Sequence, residues 1–205
     1  FTAGGGRLKG VQTSLGMNVF GGKMRGWQVA GISNVARYID GVQLSGFANI
    51  TESSFRGLQF SPFTNIAMGV KKGVQIGGLA NIASETMRGL QLGTYNYADT
   101  LTGLQIGLLN IALKQPKGMQ IGIINYSRDT LTNKIGLVNI GPQTKIDVLA
   151  YWSNVATINM ALRFRNRNTY SLLSLGTHYM GFDNDFSGAL TYRIGRYKTL
   201  SPKWM

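Results

Sequence analysis

The sequence predicts an all-β fold, an antiparallel meander of short repeat strands that forms an outer-membrane β-barrel. Three observations favour this fold: a repeat of 14 to 16 residues, an uncharged stretch inside each repeat, and charge confined to the turns between repeats. Of the 205 residues, 28 are glycine and 14% are charged, against about 25% charged residues in an ordinary soluble domain. No apolar run reaches the roughly 18 residues of a membrane-spanning helix. A helical membrane protein is therefore excluded.

The repeat reads glycine, apolar residue, glutamine, apolar residue, small residue, with an asparagine five or six residues after the glutamine. Nine copies fill residues 10–144, and Lys134 takes the place of glutamine in the ninth. The amides are Gln12, Gln28, Gln43, Gln59, Gln75, Gln91, Gln105 and Gln120, with Asn18, Asn34, Asn49, Asn65, Asn81, Asn96, Asn110, Asn125 and Asn139. Such regularity predicts one structural unit per copy.

Each copy is interpreted as one strand followed by a hairpin turn. Side chains alternate between the faces of a strand, which places Leu104 and Ile106 on one side and Gln105 on the other. A Gln and an Asn six residues apart lie on the same face of a strand, whereas a pair five residues apart lies on opposite faces. A β-bulge that absorbs one residue would reconcile the two spacings, and it is predicted in units such as residues 73–81.

Residues 145–205 lack the repeat and show plain alternation, which predicts further antiparallel strands at 145–152, 156–165, 169–180 and 186–198. The chain is predicted to form a single β domain over residues 1–205.

Two architectures accommodate the repeats. The barrel is favoured because the uncharged part of each copy, such as residues 103–113, matches the 9–11 residues of a transmembrane strand. Against it, Gly31, Gly46 and Gly78 fall in the row that would face lipid. The alternative is a β-solenoid, in which each copy is one coil and like residues stack, followed by a C-terminal antiparallel β unit.

Repeats such as residues 103–112, followed by the strand at 155–165 and its hairpin to 170–176, resemble the surface-repeat outer-membrane proteins of Bacteroidota-type and spirochaete bacteria. The resemblance covers about residues 10–200. It implies a location in the outer membrane or at the cell surface, with the lipid bilayer and other outer-membrane proteins as partners. It carries no catalytic motif.

Two groups of residues are candidates for a functional site. The first is a polar ladder or lumen lining formed by Gln75, Gln91, Gln105, Gln120, Asn81, Asn96, Asn110 and Asn125. These amides would line a pore, bind a glycan, or satisfy one another in the interior, and the last interpretation is preferred because buried amides must be hydrogen-bonded. The second is a set of lumen cations, Arg163, Arg165 and Arg193, which would alternatively pair with Asp147, Asp183 or Asp185. Tyr38, Trp152 and Tyr179 are candidates for an interfacial aromatic girdle.

The formal net charge is +13, but the basic residues are scattered through turns, which favours lipid phosphates over nucleic acid as their partner. There is no cysteine, and His178 is a lone strand histidine. No catalytic, cofactor or metal site is predicted, so the chain is not expected to be an enzyme. The predicted function is a structural scaffold component of a bacterial outer membrane, part of a larger envelope complex. The alternative is a surface-exposed β-solenoid adhesin or glycan-binding repeat protein.

Overall fold

The repeats form a parallel β-solenoid, and the chain after them forms a small antiparallel sheet. The computed structural model describes residues 1–115, 117–129, 133–154, 156–166, 169–177 and 188–196. The strands are β1 (Thr2–Gly4), β2 (Arg7–Ser14), β3 (Met17–Ala30), β4 (Ser33–Ser45), β5 (Ala48–Ser61), β6 (Thr64–Gly77), β7 (Ala80–Leu92), β8 (Tyr95–Lys114), β9 (Met119–Ser127), β10 (Asn133–Ile135), β11 (Val138–Ile140), β12 (Lys145–Tyr151), β13 (Ile158–Arg165), β14 (Thr169–Thr177) and β15 (Gly188–Arg196).

Consecutive repeats pair in parallel with like residues opposite one another. Gly10 lies opposite Gly26, Gln12 opposite Gln28, and Asn34 opposite Asn49. This pairing joins eleven strands into one sheet of about eight coils. The predicted antiparallel meander and barrel are therefore wrong for the repeats, which form the solenoid that the sequence left as the alternative.

Each coil has two arms joined at two edges. A glutamine arm and an asparagine arm meet at a bend that contains glycine in most coils, for example at Gly31 and Ile32. We call this the glycine edge. On the other side, the strand pairing shifts register, for example between Phe20 and Lys23. Apart from Lys134, the charged residues of the repeats lie there, so we call it the charged edge.

The bend at the glycine edge explains why the separation of Gln and Asn varies. The two amides lie on different arms, so both point inward whether five or six residues separate them. Residues 73–81 contain a bend at Gly78 and Leu79 rather than the predicted β-bulge. A copy that is one straight strand would give a barrel, whereas a copy bent into two arms gives one coil of a solenoid.

The interior of the solenoid is divided into an apolar and a polar part. Buried apolar side chains stack near the charged edge, and they include Met24, Ile39, Phe55, Val70, Met87 and Leu101. A column of small residues faces them and includes Ala36, Ala67, Ala83, Ala98 and Ala112. The amides fill the remaining half, next to the glycine edge.

The chain after the solenoid forms a four-stranded sheet in the order β12-β13-β14-β15. All three pairings are antiparallel, with Val148 opposite Leu162 and Leu175 opposite Leu190, as the alternation in this part of the sequence predicts.

This C-terminal sheet covers the last coil of the solenoid. The Tyr192 hydroxyl donates to the carbonyl oxygen of Gly136 at 2.8 Å, and the Ser171 hydroxyl donates to that of Leu137 at 3.0 Å. The Asn166 amide donates to the carbonyl oxygen of Asn139 at 3.2 Å. Backbone groups at this end of the solenoid are thereby satisfied without another coil.

Candidate functional site

The predicted polar ladder exists, and it lies in the interior of the solenoid. Each glutamine from Gln28 to Gln120 donates its side-chain N–H to the side-chain oxygen of the glutamine in the preceding coil, at 2.7 to 2.9 Å. Gln75, Gln91, Gln105 and Gln120 belong to this ladder and are fully buried.

The asparagines form a second ladder, in which the hydrogen bonds are donated in the opposite direction along the solenoid. Each one from Asn18 to Asn125 donates to the side-chain oxygen of the asparagine in the following coil, at 2.9 to 3.0 Å. The second N–H of the same amide donates to a backbone carbonyl in the following coil, as from Asn96 to Ile106 at 2.9 Å. Asn81, Asn96, Asn110 and Asn125 therefore hold the bend at the glycine edge as well as stacking the coils.

Because both ladders are buried and their amides are used by one another, they offer no surface to a glycan and line no open lumen. The placement agrees with the interior role that the sequence favoured, since a buried amide is stable only when its groups are paired. The ladders hold the solenoid together, and a ligand must bind elsewhere.

The glutamine ladder ends at a buried lysine. Lys134 lies opposite Gln120 in the sheet, and the side-chain oxygen of Gln120 is buried with no hydrogen-bond partner. The Lys134 ammonium donates to the carbonyl oxygen of Ile140. Desolvation by burial lowers the pKa of Lys134 from its ordinary 10.5 to about 8, and the Asp129 carboxylate partly offsets this.

Replacing Lys134 by glutamine is expected to stabilise the protein by about 2 kcal/mol at pH 7, because it removes a desolvated charge and supplies a donor to Gln120. In the wild type the unfolded chain holds a proton on Lys134 between pH 8 and 10.5 that the folded chain has lost. Wild-type stability therefore rises with pH across that window relative to Lys134→Gln. Urea unfolding at pH 7, 8, 9 and 10 measures the difference, and the exposed Lys117→Gln is the control. Parallel stability curves for wild type and Lys134→Gln would contradict the expectation.

The three predicted lumen cations lie together on one face of the C-terminal sheet. Arg163 donates its Nε–H to Asp147 at 2.9 Å, and Arg165 donates to both carboxylate oxygens of Asp147. The hydrogen bond from Arg165 is the main cause that lowers the pKa of Asp147. The Arg193 guanidinium lies 6.0 Å from the centre of the Tyr151 ring. Two of the three arginines therefore form the alternative pairing with Asp147, whereas Asp183 and Asp185 lie outside the described residues, as does His178.

The other face of the C-terminal sheet is apolar and largely exposed, apart from Phe164 and Ser171, which are buried on it, and Ser171 bonds to the last coil of the solenoid. The side chains of Leu190, Val148 and Leu175 are 71%, 69% and 67% exposed. We call this surface the apolar sheet face. It consists of Ile146, Val148, Ile158, Met160, Leu162, Leu175, Leu190, Tyr192 and Ile194. Monomeric soluble proteins rarely expose a contiguous apolar patch of this kind, so it points to an interaction surface.

An apolar groove on the solenoid continues this surface. It has a volume of about 840 Å³ and runs along the glycine edge. One wall is formed by the residues that follow the glutamines and, in the last coil, Lys134, namely Phe60, Ile76, Leu92, Ile106, Ile121 and Ile135. Tyr192 lines the end of the groove and belongs to the apolar sheet face as well.

The groove was not predicted, because it forms only when like positions of successive coils stack. The aromatic girdle also stays a prediction. Tyr38 lies between Lys23 and Arg37, whose charged groups are 5.8 and 5.7 Å from its ring centre. Trp152 is 82% exposed, and Tyr179 lies outside the described residues.

No family model, curated protein or solved structure matches the chain. Across the described ranges no helix is both long and apolar enough to cross a membrane.

Proposed function

We propose that this β-solenoid is a non-enzymatic scaffold of a bacterial cell surface, held against lipid by its C-terminal sheet. The solenoid is then a rigid spacer that projects from the attachment point and presents its outer surfaces, as an adhesin does. The observation that carries the proposal is the apolar sheet face, with its nine exposed apolar side chains on one side of four strands.

Lipid suits this face because a cationic rim borders it. β12 begins at Lys145 and β15 ends at Arg196, and the antiparallel pairings bring these two residues to the same end of the sheet. Lys145 and Arg196 are exposed. An apolar surface beside exposed basic residues matches the boundary between acyl chains and anionic headgroups.

The sheet is expected to lie in the membrane interface rather than to cross the bilayer alone. β12 and β15 are edge strands of this sheet, and unpaired backbone groups are not tolerated in the hydrocarbon core. Deeper insertion would require strands from another protein to pair with these edges. Such a role suits the other outer-membrane proteins that the family resemblance implies as partners.

Vesicle flotation tests the proposal. The purified chain is expected to float with vesicles that contain anionic phosphatidylglycerol. Met160→Gln combined with Leu175→Gln places two polar groups at opposed positions on the apolar sheet face. We expect this double variant to partition about tenfold less, the equivalent of about 1.4 kcal/mol of apolar burial.

Val11→Gln combined with Leu15→Gln is the matched control, because these side chains are 65% and 97% exposed at the other end of the solenoid. The control is expected to float like the wild type. Equal losses for the two double variants, or a wild type that stays in the soluble fraction, would reject the apolar sheet face as the attachment surface.

A further inference from the structure

The first coils of the solenoid carry a basic cleft at the charged edge. It has a volume of about 620 Å³ and is lined by six basic residues, Arg7, Lys9, Lys23, Arg25, Arg56 and Lys71. Asp40 is the acidic residue among those that line it. A cluster of like charges in a concave site raises the local concentration of anions.

The parallel register arranges four of these cations as a rectangle. Arg7 lies opposite Lys23, and Lys9 lies opposite Arg25. Neighbouring strands are about 4.8 Å apart, and residues two apart on one strand are separated by about 6.6 Å. The inward-pointing Leu8 and Met24 separate the two columns and form part of the cleft. The backbone positions of these four basic residues thus lie within about 8 Å of one another on one outer surface.

Internal neutralisation of this charge is weak. Asp40 lies 3.7 Å from Arg25, and both side chains are largely exposed, so the pair contributes little. Lys23 lies over the Tyr38 ring, a contact that leaves its charge in place. Lysine and arginine side chains donate hydrogen bonds and accept none, so the cleft matches a ligand rich in anionic oxygen atoms.

An exposed indole lies beside the cations on the same face. Trp27 follows Arg25 by two residues in β3, with Gly26 between them, and is 51% exposed. An aromatic face next to hydrogen-bonding groups stacks on the C–H face of a sugar ring.

We infer that the basic cleft binds a linear acidic polysaccharide, with its carboxylate or sulfate groups on the basic columns and a sugar ring on Trp27. A flat bilayer fits the concave cleft poorly, and the apolar sheet face lies several coils away at the other end of the solenoid. A single-stranded nucleic acid would need a series of stacking aromatic residues. In the next coil, the residue opposite Trp27 is Val42, which is not aromatic. This inference goes beyond the proposed attachment to lipid and does not depend on it.

Fluorescence anisotropy of a labelled heparin oligosaccharide with the full chain tests the inference. Lys23→Gln combined with Arg25→Gln is expected to weaken binding about tenfold. The control is Lys114→Gln combined with Lys117→Gln, which removes the same charge from exposed residues on the same edge. This control is expected to weaken binding less than about twofold. Trp27→Ala, which leaves the charge unchanged, is expected to weaken binding about fivefold. Trp152→Ala is its control.

Four results would overturn the inference. Equal losses for the two charge variants would show attraction by net charge alone, and an unaffected Trp27→Ala would remove the sugar ring from the site. Tighter binding to phosphatidylglycerol vesicles through Lys23 and Arg25 would make the cleft a lipid site. Tighter binding to a DNA oligonucleotide would make it a nucleic-acid site. Neutral dextran is the control for the sugar backbone, and circular dichroism confirms that each variant is folded.

Discussion

Replacing Gly89 by alanine is expected to destabilise the solenoid by about 4 kcal/mol or more. Gly89 has a φ of 132°, which residues with a side chain rarely adopt. A Cβ at this position would overlap the carbonyl oxygen of Gly73 in the preceding coil. That oxygen belongs to the parallel sheet, so it cannot move away without loss of strand pairing. Thermal unfolding followed by circular dichroism measures the effect.

Gly16 provides the control for this substitution. A Cβ at Gly16 would meet no atom within 4 Å, so Gly16→Ala is expected to change stability by less than about 0.5 kcal/mol. If the two alanine variants unfolded at the same temperature, the inference that neighbouring coils leave no room for a side chain at Gly89 would be wrong.

Replacing Asn96 by alanine is expected to cost about 4 kcal/mol of stability, because it interrupts the asparagine ladder in the middle of the solenoid. Asn81 loses the acceptor that Asn96 provides, and the Asn110 oxygen loses its donor. The carbonyl oxygen of Ile106 loses a donor as well. The two amide–amide bonds are buried, so water cannot replace them, whereas the half-buried Ile106 carbonyl keeps a hydrogen bond from the Gly93 N–H. Urea unfolding measures the change.

Thr94→Ala is the matched control, since it removes a hydrogen bond of 2.7 Å from an exposed side chain two residues earlier in the same coil. Water replaces that bond, so a loss below about 1 kcal/mol is expected. A similar loss in both variants would mean that the ladder contributes no more than a surface hydrogen bond.

The repeat, the β structure and the amide ladders were predictable from sequence, but the direction of strand pairing was not deduced. A copy of 14 to 16 residues is long enough for either a strand with its hairpin or one coil. The identity of the buried amides was the informative signal. In a meander, Gln75 and Gln91 would lie at opposite ends of neighbouring strands, whereas in a coil stack they meet and pair. Only stacking gives a physical reason for keeping the same amide in every copy.

The residues that meet on the surface were harder to predict from the sequence than those in the interior. Lys9 and Arg25 are 16 positions apart in the sequence, and they become neighbours only through the parallel register. The alternation of Met160 and Leu162 predicted one apolar face correctly, because a strand period of two needs no knowledge of the partner strand. That face is also the one on which the proposed function depends.

The sheet that closes the last coil has a further consequence, for self-association. Stacked Gln and Asn ladders in parallel, in-register strands are the arrangement found in amyloid fibrils, in which each layer is a template for the next. In this protein the Tyr192, Ser171 and Asn166 side chains donate hydrogen bonds to the carbonyl oxygens of Gly136, Leu137 and Asn139 in the final layer. Molecules joined end to end through this layer would first have to displace the C-terminal strands, so we expect the strands that are proposed to anchor the protein to hinder fibril growth from this end as well.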